Sequence, residues 1–345
     1  MSLPRPQGST PLRLAPRIAA ALLAALALLG GTPPAEAGRL REALEARRAE
    51  RAGAAADDAL AGAADDALAG EVDERPASAS ALPAGSQVLR DLAYGTASRQ
   101  KLDVYLPPAA SGSGPAAIVL MVHGGGWRLG DKAADRVVAN KAAHWLAQGV
   151  VFVSINYRLL PQAEPLAQAE DVTRALAYVQ AQAGEWHADP QRLVLMGHSA
   201  GAHLIALLSA DPARAIALGA RPWAGSVALD SAALDLVQLM EGRHARLYDR
   251  AFGADPATWR AASPQHHLST QAVPMLLVCS TRRADDPCAQ ANRYAAAAKT
   301  LGVRTEILPQ PLSHGDINGQ LGLPGAYTAA VDGFLSSLPG FRSGP

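Results

Sequence analysis

Beyond Gln87 the chain alternates between short apolar runs and longer stretches with apolar residues at helical spacing. The runs Gln87–Tyr94, Lys101–Leu106, Ala117–Val122, Val150–Asn156, Arg192–Met196, Gly225–Leu229, Pro274–Cys279 and Arg304–Pro309 have the length and aliphatic content of strands. Ala163–Gln182, Gly201–Ser209, Ala289–Gly302 and Gly325–Leu338, lying between or after them, read as helices. Strands that alternate with helices predict an α/β fold built on a mostly parallel eight-stranded sheet flanked by helices, with the first two strands as a hairpin. Residues 85–340 are therefore expected to form one domain, of a size that a single core supports.

The first residues follow a different pattern. Arg5, Arg13 and Arg17, with no acid among them, precede the apolar run Ile18–Leu29, and the small-residue site Ala35-Glu36-Ala37 comes next. This order predicts a secretory signal peptide over residues 1–37, a mature chain starting near Gly38, and a secreted or periplasmic protein. The apolar run falls well short of the roughly 20 residues needed to cross the hydrocarbon, so no stable membrane span is expected after processing. Residues 38–84 are rich in alanine and charge, and Ala-Asp-Asp-Ala-Leu-Ala-Gly occurs twice, at Ala56–Gly62 and Ala64–Gly70. Such a segment buries too little surface to offset its ordering entropy and reads as a flexible linker.

Composition removes several functions. Hydrophobic residues make up 49% of the chain, enough for a large core, and 31 basic residues balance 31 acidic ones. That balance supplies no positive field for a phosphate backbone, so nucleic acid is not an expected partner. Neither a metal-ligand cluster nor a glycine-rich phosphate loop follows a strand, and no metal or cofactor is expected. Oligomeric state has no signature in the sequence.

The residues suited to chemistry sit at the ends of predicted strands. Ser199 is the centre of Gly197-His198-Ser199-Ala200-Gly201, between the strand Arg192–Met196 and the helix that follows. A sharp strand-turn-helix corner there lifts the hydroxyl above the sheet as a nucleophile, and glycines at 197 and 201 remove side chains where the segments approach. A serine needs a histidine to take its proton and a carboxylate to orient that histidine, in the chain order Ser, acid, His. Of nine histidines, His314 is the one that follows the last predicted strand, and it is the expected base. The acid is expected just past Pro274–Cys279, where Asp285 and Asp286 are adjacent. Asp286 is preferred as the residue nearer the following helix. His123-Gly124-Gly125-Gly126-Trp127 follows another strand, and Gly125 and Gly126, with Ala200, are expected to offer N–H groups to an oxyanion. His123 is read as the anchor of that loop. Cys279 and Cys288, the two cysteines, bracket the acid loop and are expected to form a disulfide in an exported protein.

Together these segments resemble the α/β-hydrolase superfamily, in its esterase and lipase branch with hormone-sensitive-lipase-like, BD-FAE-like and arylformamidase-like enzymes. The resemblance runs over about Gln87–Leu338. It is carried by His123–Trp127 with Gly130-Asp131-Lys132, by Asn156-Tyr157-Arg158-Leu159, by the serine pentapeptide running into Ala202-His203, and by Leu312-Ser313-His314-Gly315. It implies hydrolysis of a small acyl or aryl carboxylic ester through an acyl-enzyme, with substrate contacts at Trp127, His198 and Tyr157. The same machinery also serves amide or formamide hydrolysis, and a silent fold used for binding is the third reading. Many relatives have an aspartate followed by a Val-Pro-like pair where this chain has Asp285-Asp286-Pro287-Cys288, which leaves the acid open between the two aspartates. Relatives often carry a lid between the sixth and seventh strands. Here residues 234–267 are the lid candidate, whose Leu236, Leu239, Met240, Leu247, Tyr248 and Phe252 line an acyl pocket or form plain core.

Overall fold

In a computed structural model of the chain, the residues described are 41–48, 82–108 and 114–341. The chain divides into two units, Met1–Ala56 and Asp57–Pro345. Of the first, residues 41–48 form an exposed helix. The expected signal peptide over 1–37 lies outside the described residues, as does most of the expected linker over 38–84.

The second unit contains one eight-stranded sheet. Its strands are β1 Gln87–Ala93, β2 Lys101–Leu106, β3 Ala116–Val122, β4 Val151–Ile155, β5 Ala188–His198, β6 Gly225–Leu229, β7 Met275–Ser280 and β8 Thr305–Gln310. All eight coincide with the apolar runs of the sequence, with β5 reaching further back, to Ala188. In space the order is β1-β2-β4-β3-β5-β6-β7-β8. Pairing is antiparallel for β1 with β2 and β2 with β4, and parallel from β4 to β8.

The central parallel strands β3, β4, β6 and β7 are buried on both sides, while β8 at the edge is only partly covered, and the alternating residues of the central strands feed two cores. On β3, Ile118, Leu120 and Val122 join one cluster while Ala117, Val119 and Met121 join the other. Helix α1, Asp135–Ala147, closes the second face with Val138 and Trp145, and α2, Pro165–Gln182, closes the first with Val172 and Leu176. Full burial of each such aliphatic side chain contributes roughly 1.5–3 kcal/mol, which makes these two layers the main source of cohesion.

The direction of chain progression reverses around β3, which lies between β4 and β5. In an open parallel sheet such a switch point opens a crevice at the carboxyl ends of the strands. The register aligns those ends: Val122 pairs with Gly197, His198 with Leu229, and Leu229 with Val278. Loops leaving β3, β5, β6 and β7 therefore start side by side. Helix α3, Ala200–Ala210, starts at this edge and is buried along its whole length.

Residues 234–267 fold as four short helices: α5 Leu236–Glu241, α6 Arg246–Phe252, α7 Pro256–Ala261 and α8 Pro264–His267, following α4 Pro212–Ala217. Leu236, Met240, Tyr248 and Phe252 are buried in the first core, with Leu239 and Leu247 packed against it. Helices α9 Pro287–Thr300, α10 His314–Gly319 and α11 Ala326–Ser336 complete the unit. Among the described residues, no helix is long and apolar enough to cross a membrane.

Candidate active site

Ser199 occupies the turn between β5 and α3 with φ 54° and ψ −117°. A side chain in this region is strained by about 1–3 kcal/mol, and such strain persists only where the surroundings over-determine it. Here the Ser199 N–H donates to the Leu229 carbonyl of β6 (2.9 Å), and its carbonyl accepts from His203 N (3.0 Å) to open α3. The flanking glycines are required by contact. A methyl on Gly197 would stand 2.5 Å from the Gly201 carbonyl, and one on Gly201 would strike the Val122 carbonyl and come within 2.5 Å of that of His123. Gly201 thus lets α3 press against the end of β3, where the glycine loop begins.

That loop turns back on itself through Arg128 N and Leu129 N, which donate to the Gly125 carbonyl at 3.1 and 2.9 Å. Gly125 and Gly126 have φ of 107° and 56°, and Trp127 has 60°. Trp127 is buried rather than displayed. It packs on His203, Tyr248 and Phe252, and its indole N–H donates to His203 Nδ1 at 3.2 Å. Indole nitrogen only donates, so His203 carries its proton on Nε2 and gives it to the Ala262 carbonyl (2.8 Å). Burial pushes this histidine down to about 4.

Tyr157 is fully buried, stacks on His123 at 4.5 Å and donates its hydroxyl to the His123 carbonyl at 3.0 Å. His123 in turn gives its Nδ1 proton to the Gly124 carbonyl at 2.7 Å. Burial pushes His123 down to about 4 as well. His123 thus holds the glycine loop, and Tyr157 holds His123.

His314 is the first residue of α10, after Ser313, whose hydroxyl accepts from Asp316 N as the helix cap. Three contacts fix this short helix. Ser280 Oγ donates to the Leu312 carbonyl at 2.6 Å, His198 Nε2 donates to the His314 carbonyl at 3.0 Å, and α1 reaches the far end of the helix. There Asn140 Nδ2 donates to the Gly319 carbonyl and the buried Lys141 Nζ to that of Asn318, both at 2.6 Å. His198 is buried, and burial, with His314 beside it, pushes it well below its ordinary value.

The carboxylate at His314 is Asp230, not Asp286. His314 Nδ1 lies 2.6 Å from Asp230 Oδ2. Asp230 immediately follows β6, has φ 58° and no exposed side-chain surface. Its other oxygen accepts from Ser280 N at 2.7 Å. Arg283 Nη1 donates to Oδ2 at 3.0 Å and lies 2.9 Å from His314 Nδ1, so guanidinium and imidazole converge on one oxygen. Burial alone pushes Asp230 up, yet the His314 hydrogen bond and the Arg283 charge outweigh it and hold the carboxyl well below the usual carboxylate range.

Asp286 is exposed, and its side chain accepts from Ala289 N at 3.0 Å as the cap of α9. It has φ 43°, a conformation that aspartate tolerates better than most residues. Asp285 makes a two-pronged pair with Arg283. The helix start that made Asp286 attractive in sequence is what occupies it. Asp230 also satisfies the order Ser, acid, His, and its signal in sequence is an aspartate directly after the strand that follows the serine.

Cys279 and Cys288 form the expected disulfide, with a sequence separation of nine. It joins β7 to the first turn of α9 and closes the loop that carries Arg283 and Asp285. No group of three or more potential metal ligands occurs among the described residues.

The fold and the edge residues together are those of an α/β-hydrolase, and the comparisons with known proteins point to its esterase and lipase branch. Residues 102–216 match the profile of the BD-FAE family. Esterase LipQ of Mycobacterium tuberculosis is 28% identical over 74% of this chain and 63% of its own length. A probable isoprenylcysteine alpha-carbonyl methylesterase of Oryza sativa subsp. japonica is 35% identical over 35% of this chain and 27% of its own length. The chain thus spans less than two thirds of these curated relatives. Among solved structures, a truncated carbohydrate esterase from gut microbiota superposes with a TM-score of 0.63, covering 76% of this chain and 98% of the other at 19% identity, a likeness of fold.

Replacing Asp230 by Asn is expected to lower any turnover that runs through Ser199 and His314 by about 10⁴-fold, because the imidazole then adopts the wrong tautomer. Asp286→Asn is expected to leave turnover within about twofold, since asparagine caps a helix as well as aspartate does. Steady-state kinetics of the two variants decide between the acids. The depressed Asp230 carboxyl also sets a sign for stability. Its contribution is fully present above the unfolded value of about 3.9 and is lost as pH falls towards the folded one. The stability gap between wild type and Asp230→Asn in urea unfolding is therefore expected to be larger at pH 7 than at pH 3, and an equal gap at both would refute the linkage.

Proposed function

We propose that the protein hydrolyses carboxylic esters through an acyl-enzyme formed on Ser199. The observation that carries this reading is the 2.6 Å contact between His314 and Asp230 at the same sheet edge as the strained Ser199 turn. A carboxylate accepts, so Nδ1 holds the imidazole proton and Nε2 is left with a lone pair to take the Ser199 proton. Attack on the ester carbonyl places negative charge on its oxygen. The N–H groups of Gly125, Gly126 and Ala200 receive it, the last at the start of α3, where the helix dipole adds a favourable field. His314 then returns the proton to the leaving alcohol, and water repeats the sequence to release the acid.

Asp230 orients His314 in this scheme and stabilises the imidazolium, and Arg283 keeps Asp230 ionised while buried. Trp127, Tyr157 and His198, expected in sequence at the substrate, act through the loop and the helix that they hold. The similarity to an esterase and to a probable methylesterase supports ester cleavage. Export from the cytoplasm is part of the same proposal. It is supported by the pattern of residues 1–37 and by a disulfide that an oxidising compartment maintains.

A fluorophosphonate probe is expected to label the wild type and not Ser199→Ala, and the wild type is expected to cleave phenyl esters faster than formanilides of matched size. No labelling of the wild type and no ester cleavage would refute the enzyme, and faster formanilide cleavage would reassign it as an amide hydrolase. N-terminal sequencing of protein recovered outside the cytoplasm is expected to begin near Gly38. Retention in the cytoplasm with an intact N-terminus would overturn the export reading.

A further inference from the structure

The loop that the disulfide closes brings a cation to the acid and the base. Arg283 is the third residue past β7, and its side chain is only 19% exposed. Its Nη1 donates to Asp230 Oδ2 and to the Asp230 carbonyl, both at 3.0 Å, and stands 2.9 Å from His314 Nδ1. The other donors of the guanidinium pair with Asp285, and the buried Tyr248 hydroxyl of α6 meets it from the segment 234–267. Arg283 is thus held from three sides, at a fixed place beside His314.

Asp230 has two effects on His314. It fixes the Nδ1 proton, and its charge also favours a second proton on the ring, which would take up the Nε2 lone pair that the reaction needs. Arg283 opposes the second effect, because a protonated ring puts two cations 2.9 Å apart beside one carboxylate. Like charges at that distance disfavour the protonated form, and a largely buried guanidinium is weakly screened by water. The neighbouring groups leave this balance to Arg283. His198, 4.5 Å from the His314 ring, is kept neutral by burial, and burial likewise pushes the Tyr248 and Tyr327 hydroxyls up. Asp285 is engaged by Arg283 itself, and Asp316 by Ser313. On α1, Lys141 donates to the Arg136 and Asn318 carbonyls, and the Arg136 guanidinium lies against Gly315. These groups are common to wild type and to variants at position 283, so their influence cancels when the two are compared.

We infer that Arg283 is a positioning residue of the reaction, which holds Asp230 and His314 together and offsets the Asp230 charge at the imidazole, so that activity extends to lower pH than the two alone allow. The inference rests on the reading of Ser199, His314 and Asp230 given above and concerns the regulation of that same site. Arg283 acts through Asp230 and His314, not on the ester itself. Its charge is essential to the role. A neutral donor at position 283 satisfies the Asp230 oxygen but leaves the carboxylate charge unopposed, and the ring then keeps its second proton to higher pH.

The test is the pH dependence of kcat/KM, whose acid limb reports the base of the free enzyme, with phenyl acetate as an ester that carries no titrating group. Arg283→Gln and Arg283→Met are each expected to move that limb upward by about one pH unit, so that activity well below the limb falls about 10-fold relative to the plateau. Arg283→Lys keeps the charge and is expected to hold the limb close to that of the wild type, even with a lower plateau. A role confined to packing lowers the plateau of all three and moves no limb. Circular dichroism of each variant checks the fold. If the limb of the folded neutral variants stays in place or moves downward, or if Arg283→Lys moves it as far as they do, the inference is overturned and the esterase reading stands. The pH dependence of fluorophosphonate labelling of Ser199 reads the same base without an ester. A labelling limb displaced in this pattern, with no ester cleaved, supports the role of Arg283 and refutes the esterase reading alone.

Discussion

A carboxylate with no solvent contact stays ionised only if the protein replaces the water it has lost, at a cost of several kcal/mol when the replacement is incomplete. Asp230 meets that condition with three donors from three parts of the chain: Ser280 N from the end of β7, Arg283 from the loop beyond, and His314 from the start of α10. Each would leave the carboxylate under-satisfied if it moved. The arrangement therefore ties the loops after β6, β7 and β8 into one unit, and the disulfide between Cys279 and Cys288 closes the segment that brings Arg283 to it. Arg283 shares its remaining donors with Asp285, so the outer aspartate steadies the guanidinium that steadies the inner one.

The same edge of the sheet shows how one histidine is set apart from its neighbours. His123, His198 and His203 are all buried, and each gives a ring proton to a main-chain carbonyl, of Gly124, His314 and Ala262 respectively. Burial keeps all three neutral at ordinary pH, and their role is to hold backbone in place. His314 has a carboxylate instead of a carbonyl as its partner, so a positive charge on its ring is met by an opposite one. An imidazole can cycle through a proton in that setting, whereas in the others it would be left with an uncompensated charge.

Contact between segments explains the remaining constraints. Ser199 is held in its strained turn from both sides, by Leu229 of the neighbouring strand and by the first turn of α3. Gly201 allows α3 to come against the end of β3, which in turn sets the distance between serine and glycine loop.

The eight strands, the helices at 163–182, 201–209, 289–302 and 325–338, the serine turn, the last-loop histidine and the disulfide were legible in the sequence because each is a local signal, whereas α1 was not among the helices read there. Apolar runs report burial, glycines report close approach, and two cysteines leave one pairing. The acid was not legible, and neither was the buried state of Trp127, Tyr157 and His198. Asp285 and Asp286 had the expected place in the chain, but Asp286 was drawn off by a helix start and Asp285 by an arginine two residues away, both short-range interactions that a linear reading undervalues. Asp230 prevailed because the register of β6 between β5 and β7 brings the end of that strand beneath His314. Sequence by itself determined which elements form and which edge of the sheet gathers the polar groups. Only the tertiary structure decided which carboxylate faces the histidine, since that choice depends on how residues 230, 283 and 314 share one buried charge across three loops.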